Sequence, residues 1–269
     1  FMHKDGTGAY LNTGAWSKKA ITEAQKLGKA TVVASSEDKN FSYIPKNYTV
    51  PSGVDYLHIT TNNTIFGTQI KDITPPQNTL LIADMSSDIF SRKINVSDYA
   101  MIYAGAQKNL GPAGATLYIV KDELLGKTES VIPSMLDLSV HAAKQSMFNT
   151  PPVYAIYVAM LTLEWLKTNG GIAWIEKINN EKAALLYEEI DCNPLFEGTA
   201  AHEDRSNMNV TFVLTDESLK EKFDEQCAAA GISGINGHRS VGGYRASIYN
   251  AMPKESVEVL VDVMKQLNN

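Results

Sequence analysis

Short apolar segments that alternate with segments of helical periodicity fill the first half of this chain. Residues 79–84 (TLLIAD) and 100–105 (AMIYAG) are almost continuously apolar, which is typical of strands buried on both faces of a parallel sheet. Between residues 16 and 27 apolar side chains recur at helical spacing, and Gly28 follows as a C-cap. Further strands are predicted at residues 8–12, 30–35, 55–61 and 114–121. The alternation predicts an α/β fold built on a mainly parallel sheet.

The pattern changes after Pro152. A long buried helix is predicted over residues 153–169, before the Gly170-Gly171 pair, and a second, more amphipathic helix is predicted over residues 173–190, after it. They are followed by a strand at 207–214, a helix at 217–231, a strand at 244–250 and a closing helix at 255–267. We therefore place a domain boundary at the double glycine, between a large α/β domain at residues 1–171 and a small C-terminal α+β domain at residues 172–269.

Composition limits the classes of protein to consider. The chain has 269 residues, of which 44% are hydrophobic, and a net charge of −6, which suits one or two globular domains. It contains no basic run, no apolar stretch long enough to cross a bilayer and no signal peptide. We therefore expect no nucleic-acid partner, no membrane partner and a cytoplasmic location. Cys192 and Cys227 form no CxxC pair, so neither a disulfide framework nor a metal site is indicated.

One lysine stands at an unusual position. The segment IYAGAQKNLGPAGATLYIV (102–120) predicts a strand, a glycine-rich turn and a returning strand, with Lys108 just after the first strand. A solvent-exposed turn lysine is the commonest interpretation. A phosphate-binding lysine is disfavoured, because the chain has no GxxxxGK[ST] motif. A third interpretation is a lysine that bonds covalently to an aldehyde, because desolvation at a strand end lowers the amine pKa and makes the neutral nucleophile accessible.

The third interpretation requires a second residue. If the aldehyde is pyridoxal phosphate, an acid must lie near the ring nitrogen, since the protonated ring acts as an electron sink. Asp84 closes the predicted strand at 79–84. Ligands of α/β sheets bind at the carboxyl ends of strands, where both Asp84 and Lys108 fall. Alone, Asp84 would be interpreted as a helix N-cap or turn residue. The pair therefore favours the cofactor without establishing it.

Longer motifs surround this pair. In chain order they are NTGAWSKKAITEA (12–24), HITTNNTIFGT (58–68), ADMSSDIFSR (83–92), IYAGAQKNLGPAG (102–114), SMFNTPP (146–152) and GHRSVGGYRASIYNAMP (237–253). Together they resemble the phosphoserine aminotransferases, pyridoxal-phosphate enzymes of fold type I within the class V aminotransferase group. The resemblance covers essentially the whole chain. It implies a large α/β domain, whose sheet is incomplete at the N-terminus, and a small α+β domain.

The resemblance also implies roles around the cofactor. Lys108 would bind the cofactor covalently and shuttle a proton, and Asp84 would pair with the pyridine nitrogen. Trp16 would stack on the ring, Thr64 would donate a hydrogen bond near the ring 3′ oxygen, and Gln107 would reach the cofactor phosphate. Without the resemblance, Trp16 fits a core position on an amphipathic helix, and Thr64 fits an ordinary turn.

Other residues are implied to act at the subunit interface and on the substrate. Asn149 and Thr150 would reach the cofactor phosphate of the neighbouring subunit in a homodimer with shared active sites. Arg245 would hold the substrate α-carboxylate, while His238 and Arg239 would hold a distal phosphate or carboxylate. Planar guanidinium groups suit such anions. The alternative for these three is a solvated basic loop.

The implied activity is the exchange of an amino group between glutamate and 3-phosphohydroxypyruvate, which gives phosphoserine and 2-oxoglutarate in serine biosynthesis. Action on the phosphorylated hydroxythreonine precursor of pyridoxine is implied as well. One alternative is another class V enzyme, such as an alanine–glyoxylate type aminotransferase or a cysteine desulfurase, although neither cysteine lies in a plausible active-site loop. The other alternative is a non-catalytic relative that has lost the cofactor.

The beginning of the chain departs from the family pattern. The resemblance implies a glycine-rich phosphate-binding segment and a His-Arg pair before the NTGAW motif, and this sequence, which opens with Phe1, has neither. We expect the true N-terminus to lie upstream. A cofactor phosphate with fewer hydrogen-bond donors binds weakly. We therefore expect this chain alone to be inactive and to bind pyridoxal phosphate poorly, and a full-length parent to be an active homodimer.

Overall fold

The computed structural model describes residues 1–3, 5–127 and 131–267. Its elements are, in chain order, β1 (Thr7–Asn12), α1 (Ala15–Leu27), β2 (Lys29–Ser35), β3 (Tyr56–Thr60), β4 (Asn62–Asn63), β5 (Thr68–Gln69), β6 (Leu80–Asp84), β7 (Met101–Gly105), β8 (Thr116–Val120), α2 (Leu138–Ala143), α3 (Val153–Thr168), α4 (Gly171–Cys192), β9 (Phe196–Gly198), β10 (Asn209–Leu214), α5 (Lys220–Ala229), β11 (Tyr244–Ser247) and α6 (Lys254–Leu267). None of the helices in these ranges is long and apolar enough to cross a membrane.

The large sheet contains six strands in the order β2-β1-β3-β6-β7-β8. Neighbouring strands are parallel except at one edge, where β8 returns antiparallel to β7. An antiparallel neighbour needs only a tight connection, and here that connection contains Lys108. The predicted mainly parallel α/β sheet and the strand–turn–strand unit at 102–120 are confirmed, although the second strand is shorter than the predicted 114–121.

Apolar side chains cover both faces of this sheet, which explains why its strands are almost continuously apolar. One cluster consists of large aliphatic residues from the central strands: Leu11, Leu57, Ile59, Leu81 and Ile102. Side chains alternate between the two faces of a strand, so the neighbouring positions form a second cluster with α1: Tyr10, Ile21, Ala24, Tyr56 and Ile82. The position of α1 is therefore set by burial of its apolar stripe against the sheet.

The parallel strands end together at one edge of the sheet. In the register of the ladder Asp84 lies opposite Thr60 on β3 and opposite Tyr103 on β7. The turn that contains Lys108 begins directly after β7, at the same edge. The topology thus brings the last residue of β6 and the turn after β7 to one place, as the strand pattern predicted.

The C-terminal part is built on a three-stranded antiparallel sheet in the order β11-β10-β9. Helices α4, α5 and α6 supply the apolar residues that pack against it. Aromatic rings fill the centre, where the Phe223 ring lies 4.9 to 6.4 Å from the rings of Phe196, Phe212 and Tyr244. This arrangement confirms the expected small α+β part of the fold.

A double glycine makes the bend between α3 and α4. Gly170 and Gly171 have φ angles of 113° and 71°, in the left-handed region where a Cβ atom is strained. The proposed division into residues 1–171 and 172–269 falls at this bend, and we keep it as a proposal. Polar contacts connect the two sides, such as the hydrogen bond of 2.8 Å from Asn62 Nδ2 to Asn209 Oδ1.

Short elements account for the differences from the sequence prediction. The β4–β5 hairpin, α2 and β9 were not predicted, because elements of so few residues do not show a period. The helix predicted at 217–231 begins with a 3₁₀ turn at Glu217–Leu219, where Asp216 Oδ1 accepts a hydrogen bond from the Ser218 N–H. The strand predicted at 244–250 ends at Ser247, and the following residues form part of the candidate site.

Candidate active site

Hydrogen bonds fix the turn after β6 against the end of β7. Asp84 Oδ1 accepts a hydrogen bond of 2.9 Å from the Ser86 N–H, and Ser86 Oγ accepts one of 3.1 Å from the Gly105 N–H. The Asp84 side chain is thereby held at the carboxyl edge of the sheet. Within the described ranges no hydrogen bond to Asp84 Oδ2 is found, so this oxygen can accept a proton donor from a ligand.

The Lys108 side chain is half-buried beside this carboxylate. Its Nζ atom lies 5.5 Å from the centroid of the Trp16 ring. Burial lowers the pKa of the Lys108 amine; the negative charge of Asp84 opposes this shift, while the positive charge of Arg245 adds to it. A lowered pKa increases the fraction of neutral amine, which is the nucleophilic form. The structure therefore favours a desolvated, reactive lysine over a solvated turn lysine.

Trp16 reaches the same edge from the first turn of α1. Ser17 Oγ accepts hydrogen bonds of 2.9 Å from the N–H groups of Thr13 and Gly14, which ties the start of the helix to the end of β1. The indole Nε1 donates to Thr64 Oγ1 at 3.1 Å. The Trp16 side chain is 40% exposed, so part of its aromatic surface is open to a planar ligand.

Arg245 approaches from the C-terminal part of the chain. It lies on β11 opposite Thr211 of β10, and its Nη1 donates to the Thr64 carbonyl at 3.2 Å. Its buried Nε has no hydrogen-bond partner among the described residues. A buried, unpaired guanidinium N–H is costly unless a ligand anion binds it. Thr64 is thus the meeting point, since its hydroxyl contacts Trp16 and its carbonyl contacts Arg245.

Three other predicted residues lie in exposed or partly exposed positions. Gln107 is exposed, but its amide folds back over Gly105, where an added Cβ atom would lie 2.6 Å from Gln107 Oε1. His238 Nδ1 lies 2.7 Å from Ser240 Oγ within the loop before β11. Arg239 is exposed in the same loop. The structure does not bring these side chains into contact with Lys108, and their roles stay predictions.

Asn149 and Thr150 occupy an exposed segment just before α3. Asn149 Nδ2 donates to the Thr150 carbonyl at 3.2 Å. Among the described residues no hydrogen bond links this pair to Lys108 or Asp84. This placement is compatible with a role toward a neighbouring subunit, and it leaves their predicted role untested.

The assembled side chains fit pyridoxal phosphate chemically. Lys108 supplies an amine with a lowered pKa for the aldehyde, and Asp84 supplies a carboxylate oxygen for the ring nitrogen. Trp16 supplies an aromatic surface beside the lysine. The unpaired Nε of Arg245 supplies a donor for an anion. These four groups lie at one edge of the sheet and come from β6, the turn after β7, α1 and β11.

Two residues near Asp84 were not singled out from the sequence. These are Tyr103 on β7 and His58 on β3. His58 is buried, and its Nε2 lies 2.9 Å from Tyr103 Oη. Burial lowers the pKa of His58 to about 4, with the negative charge of Asp84 opposing the shift. The signal that the sequence offered was an imidazole between Leu57 and Ile59, in the middle of the strand predicted at 55–61.

The buried His58 predicts a loss of stability in acid. Its pKa is lowered from 6.5 to about 4, so between these values the unfolded chain binds a proton that the folded chain does not. Stability from this group is complete above the unfolded pKa and is lost as the pH falls toward the folded value. Between about pH 7.5 and about pH 4.5 we expect His58 to account for roughly 2–3 kcal/mol of the decrease in unfolding free energy.

Urea denaturation of the His58→Phe variant at both pH values measures this contribution. The variant is expected to be less stable at neutral pH, because Tyr103 loses its partner, and to show a smaller loss in acid. His202→Gln, at an exposed histidine, is the matched control and should retain the full pH dependence. An identical pH dependence for His58→Phe and the unsubstituted protein would contradict the prediction.

Comparison with known proteins gives a consistent result. The aminotransferase class-V family model matches residues 2–260. A phosphoserine aminotransferase of Flavobacterium psychrophilum is 60% identical over 268 residues, which is 100% of this chain and 75% of that protein. The structure of phosphoserine aminotransferase from Bacillus circulans subsp. alkalophilus superposes with a TM-score of 0.95 at 40% identity. The match covers 98% of this chain and 74% of the Bacillus chain.

A structure titled as pyridoxal-phosphate-bound phosphoserine aminotransferase from Trichomonas vaginalis superposes with a TM-score of 0.90 at 34% identity. The match covers 98% of this chain and 77% of that one. These similarities extend over all the motifs that were quoted from the sequence. The chain therefore belongs to the class-V aminotransferases and, within them, to the phosphoserine aminotransferase family.

Proposed function

We propose that this protein is a pyridoxal-phosphate-dependent aminotransferase of serine biosynthesis, which exchanges the amino group between glutamate and 3-phosphohydroxypyruvate. The observation that carries the proposal is the cluster of Lys108, Asp84, Trp16 and Arg245 at one sheet edge, in a chain 60% identical to a phosphoserine aminotransferase. The intact enzyme should form more than one equivalent of 2-oxoglutarate per cofactor from glutamate only when 3-phosphohydroxypyruvate is present to accept the amino group. Comparable rates with alanine and glyoxylate would favour the alternative class V activity.

When bound, the cofactor supplies an electron sink for the negative charge that develops at the substrate α-carbon. Lys108 removes and returns the proton at this carbon, and its lowered pKa suits that task. Asp84 holds a proton at the ring nitrogen through its free oxygen. Trp16 covers the ring and excludes water. Thr64 keeps the indole oriented through its 3.1 Å hydrogen bond.

Cationic groups hold the substrate in this proposal. Arg245 binds the α-carboxylate, because its Nε is buried without a partner within the described ranges and its position is fixed by Thr64. His238 and Arg239 bind the distal phosphate or carboxylate from their loop between Gly237 and Gly242. A phosphate binds an arginine through strong charge-assisted hydrogen bonds. Gln107 binds the cofactor phosphate from the exposed side of the lysine turn.

The two arginines are expected to have separable effects. Arg245→Ala should raise KM roughly 10- to 100-fold for glutamate and for the phosphorylated substrate alike, because both carry an α-carboxylate. Arg239→Ala should raise KM mainly for the phosphorylated substrate. Steady-state kinetics with each substrate varied in turn gives both values. An equal rise in KM for both substrates in both variants would mean that the two arginines provide only general electrostatic attraction.

We also propose that the enzyme is a homodimer with a cytoplasmic location. The prediction that the helix at 153–169 is buried is wrong for this single chain, because several large apolar side chains of α3 are exposed, among them Val153, Tyr154 and Tyr157 at 68%, 73% and 54%. Apolar surface of this kind is typical of a protein–protein contact. Asn149 and Thr150, just before α3, would contact the cofactor phosphate of the neighbouring subunit. The unpaired cysteines Cys192 and Cys227 are compatible with a reducing compartment.

Mixed dimers test whether Asn149 and Thr150 act across the interface. A Lys108→Ala subunit and a subunit with Asn149→Ala and Thr150→Ala should each form an impaired homodimer. Their heterodimer should regain activity, because one of its sites combines an intact lysine with an intact Asn-Thr pair from the other subunit. Activity is measured after mixing, with sedimentation to establish exchange. No recovery in exchanged dimers would place the pair in its own subunit's site.

A further inference from the structure

Asn109, the residue after Lys108, connects three segments of the chain. Its side chain is buried, with 5% exposed. Its Nδ2 donates to the Ile89 carbonyl at 3.2 Å and to the Ser87 carbonyl at 3.5 Å. Its Oδ1 accepts a hydrogen bond of 3.0 Å from the Asn250 N–H. One side-chain amide therefore satisfies backbone groups both in the turn after β6 and in the C-terminal part of the chain.

The segments that Asn109 contacts are the ones that follow the other site residues. Residues 87–89 belong to the turn just after Asp84 at the end of β6. Asn250 follows Ser247, the end of the strand that carries Arg245. Because consecutive Cα atoms are a fixed distance apart, the anchor at Asn109 restricts the backbone of Lys108 relative to both neighbours.

The segment around Asn250, to which Asn109 is bonded, is itself held by several hydrogen bonds. Asn250 Nδ2 donates to the Phe90 carbonyl at 3.0 Å, and its Oδ1 accepts from Asn179 Nδ2 of α4 at 2.8 Å. The fully buried Lys182 of α4 donates to three carbonyls of the same segment, those of Ile248, Tyr249 and Met252, at 3.0, 2.8 and 2.9 Å. A segment held at so many points can act as a rigid support for the lysine turn.

Within the described ranges the Lys108 amine has no hydrogen bond or ion pair. The structure gives its Nζ a ring contact with Trp16. The charges that act on the amine are those of Asp84 at the end of β6, Asp88 in the following turn and Arg245 on β11. A long side chain without fixed polar partners takes its position from its backbone. Backbone hydrogen bonds to the Ala106 carbonyl, from the N–H groups of Leu110 and Gly111, close the turn itself. The side-chain hydrogen bonds of Asn109 fasten this turn to residues 87–89 and to Asn250.

We propose that Asn109 is a positioning residue that sets the distance of the Lys108 amine from Asp84 and from Arg245, by fastening the lysine turn to the segments that follow these two residues. The inference rests on the proposed function for the roles of Lys108 and Arg245. It predicts that loss of the Asn109 amide changes the environment of the Lys108 amine and the alignment of the site, besides any loss of stability.

The test compares Asn109→Ala with Asn193→Ala in the intact enzyme. Asn193 is a buried asparagine, 6% exposed, whose Nδ2 donates to Glu189 Oε1 and to the Met264 carbonyl, remote from the lysine turn. The pH dependence of reductive methylation by formaldehyde and cyanoborohydride is followed at Lys108 by peptide mass spectrometry, on cofactor-free protein. Pyridoxal phosphate affinity is measured by absorbance titration, and amide exchange is measured at Asn250.

For Asn109→Ala we expect the reactivity midpoint of Lys108 to rise toward that of an ordinary lysine, because the released amine gains water. Pyridoxal phosphate affinity should fall about tenfold or more, and the Asn250 amide should lose protection. Asn193→Ala should lower stability while leaving all three readouts near their original values. If Asn109→Ala does not fold, Asn109→Asp replaces it, since it keeps the acceptor for the Asn250 N–H and loses both donors.

An unchanged Lys108 profile and unchanged cofactor affinity in a folded Asn109 variant would overturn the proposal and leave Asn109 a structural residue. The same is true if the Asn193 variant shifts both readouts equally. Failure of the proposed function would show differently, as a lack of transamination in the unsubstituted enzyme, whereas the reactivity of Lys108 can be compared between variants in either case.

Discussion

Substitution of Lys108 by alanine is expected to abolish transamination in the intact enzyme while the fold is retained. The Lys108 amine lies 5.5 Å from the Trp16 ring centroid and interacts with the charge of Asp84, and its pKa is lowered by burial. Without this amine no group of the site can move the proton at the substrate α-carbon. We expect turnover to fall by roughly four orders of magnitude or more, which corresponds to about 5 kcal/mol of activation free energy.

Borohydride reduction provides a direct measurement of the same assignment. In the intact enzyme incubated with pyridoxal phosphate, reduction should add pyridoxyl mass to the peptide that contains Lys108, and visible absorbance should disappear. The Lys108→Ala variant should take up no label. Label on another lysine, or none on the unsubstituted enzyme, would remove the basis for the assignment.

Lys19 offers a matched control. Its Nζ lies 4.6 Å from the centroid of the same Trp16 ring, closer than that of Lys108, but the side chain is exposed on α1. If proximity to the indole were sufficient, Lys19→Ala would also affect the reaction. We expect Lys19→Ala to retain activity within about twofold, because an exposed amine has neither the desolvation nor the carboxylate that the site gives to Lys108.

The part of the fold that the sequence predicted is the part that repeats a simple pattern. Strands buried on both faces are continuously apolar, so 79–84 and 100–105 revealed the parallel sheet and its carboxyl edge. Because Asp84 and Lys108 both fall at this carboxyl edge, the strand pattern alone predicted that they lie close together. The long helices on either side of Gly170-Gly171 were predicted for the same reason, since they show a period over many residues.

Contacts between distant segments could not be predicted in this way. Thr64 joins Trp16 to Arg245 through its hydroxyl and its carbonyl, and nothing in the local sequence of a turn threonine indicates two such partners. The role of Asn109 could not be predicted for the same reason. Its side chain bonds to backbone groups of remote segments, but in the sequence it looks like an ordinary turn asparagine. Their roles depend on how the C-terminal strands pack against the large sheet.

The resemblance supplied roles that the structure leaves untested. Asn149, Thr150, His238 and Arg239 are exposed or partly exposed, without contacts to the lysine in the described part of the chain. A single chain cannot display a site that a neighbouring subunit completes, nor a loop that a substrate anion orders. The mixed-dimer and substrate experiments test these roles directly.

Asp84→Asn is expected to separate cofactor binding from catalysis. An asparagine can still form a hydrogen bond near the ring nitrogen, and its Oδ1 can still accept the hydrogen bond from the Ser86 N–H. The hydrogen bond from the Gly105 N–H to Ser86 Oγ is unaffected, so the turn keeps its place. Cofactor affinity should therefore change by less than about tenfold. The neutral amide does not hold a proton at the ring nitrogen, so the ring is a poorer electron sink. Turnover should fall roughly a hundredfold or more, about 3 kcal/mol of transition-state stabilisation.

The roles of Asp84 and Arg245 can be distinguished by whether a substitution changes kcat or KM. Loss of an interaction that acts only in the transition state lowers kcat and kcat/KM together and leaves substrate binding unchanged. Asp84→Asn should show that signature, whereas loss of Arg245 should appear mainly in KM. Asp122→Asn, at an exposed aspartate after β8, controls for the loss of one negative charge. Near-normal turnover of Asp84→Asn would mean that another group protonates the ring, and Asp84 would then be only the residue that anchors the turn after β6.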